Sequence, residues 1–564
     1  MTATLDARDA APGTRPEGAP APHPRRWLGL SAILAATLLN LLDSTVVGVA
    51  APAIRADLGG SYAALQWTAA GYTLALAVAL LTGGRLGDVF GRRPVLLAGT
   101  AGFMVTSVAC AFAWSPQTLI AARVAQGLCA AVMVPQGFGL IRDLFGARDV
   151  GRAFALFGPV IGLATILGPV AAGLLIDADP LGTGWRAIFL LNVPIGVYAL
   201  VVGARVLPAP AATDRSGGLD VTGMLLGGTG MSMLVYPLVQ GRELGWPAWS
   251  LILLAGSVPV LALFTVHQLR RGRAGRTPLL RLSVFARRSY GSGVLFVVVF
   301  FGTITGFSLA VGLFLQLGLG YGPLGASLAM VSWAIGAFAG SAFGGMTMNR
   351  LGRHVLHIGL TMMAAGMTAL YAVFGTAGTG LGGWHLAAPL LVFGAGMGMI
   401  FVPLFDIIVA GIADHEVGSA SAALESVQQL GASLGVAVLG TVFFGVIGAQ
   451  AGHNFDAEAA PALRAGLAAA GVPAGERDRI TAGLRTCVQD RERSDDPDTV
   501  PASCAAAPVA GTAPLAARAA ATAGVVTHEH DALDAAERVA LLTLALTAAA
   551  FLVAFLLPRR ARVA

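Results

Sequence analysis

The chain contains no lysine, and charged residues of either sign are few. All 36 basic residues are therefore arginine, and charged residues make up 12% of the 564 positions, compared with roughly 25% in an average soluble domain. Hydrophobic residues account for 56% of the chain, and its mean hydropathy is +0.74. This composition excludes an ordinary soluble globular protein and indicates a polytopic membrane protein.

Several signatures of other functions are also missing. The sequence has no GxxxxGK[ST] phosphate-binding loop, so an ATP-driven pump would need a separate subunit. No nucleophile, base and orienting group stand in a recognisable spacing, which argues against an enzyme. The pI is near 9.5, yet the arginines are scattered among short connections, which argues against nucleic-acid binding. We expect no cofactor and no metal: His528 and His530 have the spacing of metal ligands but no companions, and a surface loop is the favoured interpretation.

Apolar runs long enough to cross a bilayer occur about fourteen times. Each has about twenty residues or more, the length that a helix needs to span the hydrocarbon core. The runs lie near 27–51, 64–84, 94–114, 118–140, 153–176, 186–206, 219–239, 248–268, 290–315, 323–347, 355–376, 385–411, 426–449 and 537–557. The sequence therefore predicts an all-α polytopic membrane protein with about fourteen helices.

The distribution of arginine predicts the topology. If the N-terminus is cytoplasmic, the arginine-rich connections all face the cytoplasm, where basic residues accumulate. They hold Arg85, Arg92 and Arg93, then Arg142, Arg148 and Arg152, then Arg205 and Arg215, then seven arginines between 270 and 288, then Arg350 and Arg353, and finally Arg559, Arg560 and Arg562. The short outer connections hold only Arg55, Arg186 and Arg242, and one inner connection, 412–421, breaks the trend by being acidic. Both termini are therefore predicted to be cytoplasmic.

Three segments lie outside the apolar runs. Residues 1–26, rich in Pro, Ala and Gly, are expected to form a disordered cytoplasmic tail with no cleaved signal peptide, and 558–564 a second cytoplasmic tail. Residues 450–536 are expected to form a soluble extracytoplasmic loop between the last two helices. This loop holds Cys487 and Cys504, and because an extracytoplasmic position is oxidising, we expect a disulfide, with two free thiols as the alternative. Cys110 and Cys129 fall within apolar runs and are interpreted as small core residues.

The first apolar run carries an acid, in the stretch LLDSTVVGVAAP at 41–52. A charged side chain at membrane depth costs at least about 2.5 to 3.5 kcal/mol, so Asp43 is predicted to be a functional group. At 1.5 Å per residue, Asp43 lies about 13 Å below the outer end of its run, and Arg123 lies about 8 Å deep on the fourth. These depths are compatible with contact. A neighbouring guanidinium would favour the ionised carboxylate, whereas burial alone would favour the protonated form.

The connection after the second run reads GRLGDVFGRRPVLLAG, at 84–99. Its glycines allow a very tight turn, and its carboxylate and guanidinium groups can bridge helix ends at the cytoplasmic surface. The stretch closely resembles the loop signature of the major facilitator superfamily, which is carried here by Gly84, Asp88, Gly91, Arg92 and Arg93. A weaker copy, GGMTMNRLGRHVLHIG, occurs near 345 with Asn349 in the place of Asp88, as expected for two homologous halves.

Further motifs are similar to those of the fourteen-helix drug:proton antiporter-2 family. They are LDSTVVGVAAPAI in the first run, QWTAAGY from 66, RVAQG from 123 and WRAIFLLNVPIG from 185, in this order. The resemblance implies a major facilitator fold with six-helix halves at 27–206 and 290–557 and two inserted helices at 219–268. The sequence departs from the family at Gly48, where Asn is usual, and at Ala172, which replaces one glycine of a pair.

The fifth run, GPVIGLATILGPVAAG at 158–173, resembles the motif that marks exporters among these carriers. Its glycines remove side chains so that another helix can pack closely, and its prolines permit kinks, so such a helix can seal one side of a carrier. The residues concerned are Gly158, Pro159, Gly162, Gly168, Pro169 and Gly173. Ordinary small-residue packing is the alternative interpretation.

The resemblance implies roles for individual polar residues. Asp43 would take part in proton binding and Arg123 would influence its proton affinity, with a purely structural ion pair as the alternative. Asp406 and Glu425 are possible secondary acids, although both flank the acidic inner connection and could lie at the membrane interface, where charge costs less.

Two aromatic residues of the second run, Trp67 and Tyr72, are possible cavity residues. Trp67 could equally be an interface anchor, since tryptophan concentrates at the boundary between lipid and water.

The resemblance further implies a proton-coupled secondary exporter that moves amphipathic, drug-like or antibiotic compounds by alternating access. The wealth of Ala and Gly with no Lys suggests a GC-rich bacterial genome, so we expect the protein to lie in a bacterial plasma membrane. We also expect it to be a monomer whose partners are its substrate, protons and lipid. Two alternatives stay open: a non-transporting membrane sensor that kept the carrier fold, and an importer of a small nutrient.

Overall fold

The computed structural model describes residues 24–60, 62–155, 157–179, 182–208, 220–241, 246–276, 278–280, 287–409, 414–493, 501–505 and 514–558. The predicted tails at 1–26 and 558–564 fall almost entirely outside these ranges. In the described residues the regular structure is helical, as bilayer spans require, because a helix satisfies its own backbone hydrogen bonds in lipid.

Seven helices make up the first part of the chain. They are α1 (Arg26–Leu58), α2 (Tyr62–Phe90), α3 (Arg92–Ala111), α4 (Pro116–Ala155), α5 (Phe157–Ala178), α6 (Ala187–Leu190) and α7 (Asn192–Val206). The short α6 and α7 together cover the sixth predicted run. Two more helices follow, α8 (Val221–Gln240) and α9 (Ala248–Arg273).

The remainder of the chain forms nine further helices. They are α10 (Arg288–Leu313), α11 (Pro323–Leu351), α12 (His354–Ala377), α13 (Ala387–Val409), α14 (Asp414–Asn454), α15 (Ala460–Ala469), α16 (Ala474–Arg493), α17 (Ala502–Ala505) and α18 (Pro514–Ala554). Wider π-helical turns follow α10 at Phe314–Gly318 and α14 at Phe455–Ala459.

Each of the fourteen predicted apolar runs coincides with helix in the structure. Eleven helical segments of the described chain are long and apolar enough to cross a membrane, and shorter apolar stretches occur at Trp67–Leu80 and Gly168–Ala178.

The two halves of the chain repeat one packing pattern. In the first half α2 and α3 pack against α4, α1 packs against α5 and α7, and α3 packs against α7. In the second half α11 and α12 pack against α13, α10 packs against α14 and α18, and α12 packs against α18. The correspondence pairs each of α1 to α5 with the helix of the same order in α10 to α14, and it pairs α7 with α18. This internal pseudosymmetry is the structural counterpart of the weak sequence repeat.

The halves meet through two equivalent helix pairs. α5 packs against α11 and α2 packs against α14, which are the same pair related by the internal repeat. Two hydrogen bonds cross the α2–α14 contact: Thr73 and Ser433 join their hydroxyls over 3.0 Å, and Ser426 donates to the Ala77 carbonyl over 3.1 Å. The inserted pair packs at this seam, since α8 contacts α9, α2 and α14.

A buried carboxylate holds the two inserted helices together. Asp220 precedes α8 and accepts a hydrogen bond from the backbone N–H of Gly223, which caps the helix. From α9, Gln268 donates to the same carboxylate over 2.8 Å, and a ring nitrogen of His267 lies 2.8 Å from it.

Two connections predicted as inner loops are helical. Arg142, Arg148 and Arg152 lie within α4, which continues to Ala155. The acidic residues from Asp414 onward begin α14. Gly146 and Gly151 in the first stretch and Gly418 in the second do not end the helices, so a change of polarity was taken for a change of conformation.

The segment predicted as a loop at 450–536 is also largely helical. It contains the π turn after α14, then α15, α16 and α17, and α18 begins at Pro514 instead of near 537. These helices bury a small core of their own that includes Leu463, Leu467, Ile480 and Leu484. Cys487 on α16 and Cys504 on α17 are joined by a disulfide. Sequence analysis predicted no helices in this segment, and they form because alanine, a strong helix former, dominates a stretch of low hydropathy.

Candidate functional site

Asp43 and Arg123 form a buried ion pair in the first half of the protein. A guanidinium Nη1 of Arg123 on α4 donates to Oδ2 of Asp43 on α1. The two side chains are 1% and 0% exposed. An isolated charge at such a position would be very costly, so each group depends on the other for its ionised form.

The second carboxylate oxygen of Asp43 is held by two amides. Gln126 on α4 and Asn192 at the start of α7 each donate from a side-chain nitrogen to Oδ1 over 3.0 Å. The Asn192 nitrogen also lies 3.0 Å from the hydroxyl of Ser107 on α3, which in turn donates to the Phe189 carbonyl. Asp43 therefore accepts three hydrogen bonds, the arrangement that an ionised carboxylate requires.

Arg123 is fixed by further contacts on its other side. Its Nε donates to the carbonyl of Thr68 on α2 over 2.9 Å, and its Nη1 also donates to Gln126 Oε1 over 2.7 Å. The guanidinium carbon lies 4.2 Å from the centre of the Tyr72 ring, within the range of a cation–π interaction. The Tyr72 hydroxyl donates to Asn40 on α1 over 2.6 Å.

The network joins α1, α2, α3, α4 and α7 around one carboxylate. Because Asp43 is fully buried, proton exchange with water requires a change of conformation. If Asp43 took up a proton, it would lose the charge that attracts Arg123 and one of its acceptor sites. The site can therefore convert a protonation event into a change in how these helices pack.

Sequence analysis identified the ion pair but not its amide partners. The departure at Gly48, where the family usually has Asn, removes one possible polar partner of Asp43, but other helices supply polar partners. Gln126 and Asn192 supply the amides from other helices. Both lie inside motifs that were noted, RVAQG and WRAIFLLNVPIG, and an amide within an apolar run was the signal available.

Tyr72 belongs to this buried network and, with no exposed surface, does not face an open cavity in this conformation. Trp67 packs against the inserted helices, with its ring centre 5.3 Å from that of Tyr236 on α8.

The loop signature forms a turn of a single residue. α2 ends at Phe90 and α3 begins at Arg92, and Gly91 between them has φ +93°, a conformation that favours glycine. Arg92 lies 3.5 Å from Asp143 on α4. Arg93 donates to the carbonyl of Ala204 near the end of α7. Gly84 lies on α2, and the side chain of Asp88 is outside those that the structure describes.

The weaker copy in the second half has the same construction. Gly352 has φ +53° and separates α11 from α12. Arg353 donates to the carbonyls of Phe555 and Leu557, just beyond α18, over 2.9 and 3.1 Å. In each half, an arginine after the turn glycine therefore binds the carbonyl end of that half's last helix, where a cation is stabilising.

The exporter-like helix α5 seals against both halves. A side chain at Gly168 would collide with Thr45 on α1, and a Cβ at Gly173 would lie 2.7 Å from the backbone of Leu324 on α11. Ser327 on α11 donates to the Pro169 carbonyl over 2.7 Å. Gly158, Pro159 and Gly162 lie on α5, but their surroundings are outside the described part.

Of the two possible secondary acids, the structure describes the side chain of only one. Glu425 is half-buried on α14, next to the Ser426 that bonds α2. Asp406 lies on α13, and its side chain is not among those described. In the described residues, Glu425 does not belong to the Asp43 network.

The prediction that His528 and His530 lie in a surface loop was wrong, because both are on α18. Histidine is compatible with a helix interior, and the Ala-rich surroundings favour the helix. In the described residues there is no group of three or more possible metal ligands.

Comparisons with known proteins agree with this architecture. The Major Facilitator Superfamily model matches residues 33–436. The chain is 44% identical over 554 residues to a "Probable actinorhodin transporter" of Streptomyces coelicolor, covering 98% of this chain and 95% of that protein. It is 34% identical over 429 residues to the "Tetracenomycin C resistance and export protein" of Streptomyces glaucescens, covering 75% and 77%.

Among solved structures, the chain resembles a bacterial homologue of the human lysosomal transporter Spinster. The TM-score is 0.55 at 15% identity, and the match covers 94% of this chain and 97% of that one. At this identity the likeness concerns the fold alone.

The chain belongs to the Major Facilitator Superfamily. It is a multi-pass membrane transporter and not an enzyme, and the predicted fold class is confirmed. The fourteen-helix arrangement is consistent with these findings.

Proposed function

We propose that this protein exports antibiotic or other drug-like compounds in exchange for protons. The observation that carries the proposal is the buried Asp43–Arg123 pair, an ionisable centre inside the membrane of a transporter whose relatives are described as antibiotic transport and export proteins. Intramembrane ionisable residues are costly and typically serve coupling.

Proton binding at Asp43 is the coupling step in this proposal. With Asp43 ionised, Arg123, Gln126 and Asn192 hold α1, α4 and α7 together. Protonation removes the charge and weakens this attachment, so the helices of the first half can change their packing. A proton taken up from outside and released inside would then accompany each outward movement of substrate.

The contacts between the halves support an outer seal in this conformation. Pro169, Gly173 and their partners at the start of α11 lie toward the ends of the helices that the arginine pattern assigns to the outside. The α2–α14 hydrogen bonds lie near the middle of α2. We infer that α5 and α11 close the outer side while substrate binds from the cytoplasm.

The same proposal includes the topology and the domain boundaries. Both termini are cytoplasmic, the halves span 27–206 and 290–557, the inserted helices span 219–268, and the helical segment at 450–536 is extracytoplasmic. Glu425 and Asp406 are candidates for secondary proton sites, and the protein acts as a monomer in the bacterial plasma membrane.

Transport in inverted membrane vesicles tests the proposal. Vesicles free of ATP and energised by a proton gradient should accumulate substrate and lose it when an uncoupler is added. Actinorhodin is the first compound to test, because the 44% identical relative is named for it, and tetracenomycin C is the second. A panel of antibiotics and cationic dyes in a pump-deficient host extends the search.

The two alternative functions give different results in this assay. A sensor with a carrier fold accumulates nothing under any condition. An importer of a small nutrient moves its substrate out of inverted vesicles. No uncoupler-sensitive accumulation across the whole panel, from protein shown to be folded, would contradict the proposal.

A further inference from the structure

A second group of ionisable side chains lies far from Asp43 in the sequence and in the fold. It consists of His528, Asp531 and Asp534 on α18, Glu492 on α16, and Asn454 at the end of α14. We call it the α18 cluster. Asp531 is fully buried, and the remaining ionisable members are half-buried. None of these residues contributes to the network around Arg123.

The carboxyl group of Asp531 is only half satisfied. Asn454 donates from Nδ2 to Asp531 Oδ1 over 2.8 Å and to Asp534 Oδ2 over 2.9 Å. Oδ2 of Asp531 is buried and, among the described residues, no group donates to it. A charged oxygen in this buried position would lack a donor from the described residues, whereas a protonated oxygen carries no charge. The nearby carboxyl of Asp534, bound to the same amide, also disfavours a second negative charge.

The neighbouring histidine shares a proton with an acid. His528 places Nε2 at 3.2 Å from the carbonyl of Leu317 and Nδ1 at 3.0 Å from Glu492 Oε1. A carbonyl oxygen only accepts, so Nε2 carries a hydrogen, and Nδ1 and Glu492 hold one more proton between them. The side chains of His528 and Glu492 are 35% and 16% exposed. Both are therefore members of the cluster through which protons can reach it from solvent.

Other charged groups lie around this cluster. Glu529 and Glu537 add negative charge on α18, and Arg538, next to Glu537, adds positive charge. On the elements packed against it, His530 of α18 lies 3.8 Å from Glu458, Arg485 binds Asp456 over 2.8 Å, Arg464 lies 3.7 Å from Asp478, and Arg493 donates to the Gly448 carbonyl over 3.2 Å. No arginine in the described residues donates to Asp531. Asp43, in contrast, accepts a hydrogen bond from the guanidinium of Arg123.

We propose that the α18 cluster is a second proton-binding site, in which Asp531 holds the proton and the His528–Glu492 pair passes protons to and from solvent. The site lies where α14 and α18 meet the π turn after α10 and the helical segment at 450–536. Loss of the proton would leave Asp531 with a charged Oδ2 that has no donor, beside the carboxyl of Asp534. This would force α14 and α18 apart until water reached the carboxylate of Asp531. The packing of these helices in the second half is thereby tied to pH on that side of the membrane.

Infrared spectroscopy of the full-length protein in lipid tests the proposal directly. A protonated carboxyl group has a carbonyl stretch that shifts in D2O and disappears on deprotonation. The parent spectrum minus that of Asp531→Asn should contain this band, and the band should be lost as pH rises. In Asp534→Asn the band should persist but be lost at lower pH than in the parent, because the adjacent negative charge is gone.

Thermal unfolding over the same pH range gives a second readout. A proton held by the folded protein stabilises it at low pH, and this contribution is lost as pH rises through the titration of the band. The melting temperature of the parent should therefore fall more over this range than that of Asp531→Asn. If Asp531→Asn does not fold, Asp534→Asn and the parent alone carry the test. The proposal is overturned if the parent shows no pH-dependent carboxyl band assignable to Asp531. It is also overturned if the band is lost at the same pH in Asp534→Asn as in the parent.

Discussion

At the scale of single residues, the proposed coupling rests on one charged donor and two neutral donors that converge on Asp43. Arg123 supplies charge, and Gln126 and Asn192 supply two hydrogen bonds to the other oxygen. The spacing of Asp43 and Arg123 made their contact predictable, because both lie at similar depth on helices of known rise. The amides were not predictable, since polar residues in five helices can meet in many combinations and only the fold selects one.

Removing the positive partner should change the pH dependence of transport. In Arg123→Ala, Asp43 would hold its proton to higher pH, because the ionised form has lost its strongest stabilisation. Transport should weaken and its pH optimum should move upward. Export measured against pH at matched expression checks this, and an optimum that stays in place or moves downward would contradict it.

Removing an amide should have a smaller effect in the same direction. Asn192→Ala leaves Asp43 Oδ1 with one donor instead of two, a loss of about 1 to 3 kcal/mol for a hydrogen bond to a charged group. The pH optimum should move upward by less than in Arg123→Ala. Ser107→Ala is the matched control, since Ser107 contacts Asn192 but not Asp43, and its optimum should stay near that of the parent.

At the scale of helices, close approach of α5 to α11 is what joins the halves on one side. The first turn of α11 lies against Gly173, where a Cβ would be 2.7 Å from the backbone of Leu324. The glycine is required by this contact, since neither neighbour is the movable end of a side chain. The motif at 158–173 was therefore a reliable signal of close packing, although the sequence alone did not identify α11 as its partner.

Gly173→Ala should force the two helices apart. Overpacking of this kind typically costs about 1 to 3 kcal/mol, and here the cost falls on the state in which α5 and α11 touch. The conformation with the outer side open should gain population, so a cysteine-free background with a single thiol at Ser327 should label faster from outside. Gly445→Ala, which adds a Cβ with nothing within 4 Å, is the control. Equal labelling of both variants would refute the assigned role of this contact.

Helix boundaries were predicted less well than helix existence. The described parts of the fourteen apolar runs are largely helical, as expected for segments that must satisfy their backbone hydrogen bonds in lipid. The polar extensions of α4, α14 and α18 were missed, since hydropathy reports where a helix meets lipid and not where its hydrogen bonding ends. The segment at 450–536 is the clearest case. Its small core is built from separated residues such as Leu463, Ile480 and Leu484, which do not form a continuous apolar run in the sequence.

At the scale of the whole molecule, the repeated packing of the two halves is the main structural basis for alternating access. The contacts α5–α11 and α2–α14 are related by the repeat, so a rocking motion can open one side while it closes the other. The arginine after each turn glycine binds the last helix of its half, which keeps each half a unit during the motion. The Asp43 network belongs entirely to the first half and the α18 cluster to the second.

The sidedness of this arrangement can be tested through its disulfide. If the 450–536 segment is extracytoplasmic, Cys487 and Cys504 should resist thiol labelling in intact cells and become reactive after treatment with a membrane-impermeant reductant. Cys110 and Cys129, which lie in α3 and α4, should be replaced by serine first so that they do not contribute. Labelling without the reductant, or none after it, would contradict the assigned topology.

Uphill export against a proton gradient by Asp43→Asn tests the central claim most directly. The amide keeps the shape of the carboxylate but leaves Arg123 without its anionic partner, so the variant is compared with the parent at matched amounts of folded protein. It should fail to concentrate actinorhodin, or the substrate found for the parent, in energised inverted vesicles at any pH from 5 to 8 (roughly the range in which proteins are most stable). Exchange of labelled for unlabelled substrate should survive, because that step needs no change in protonation. Near-normal uphill export by Asp43→Asn would show that coupling resides elsewhere.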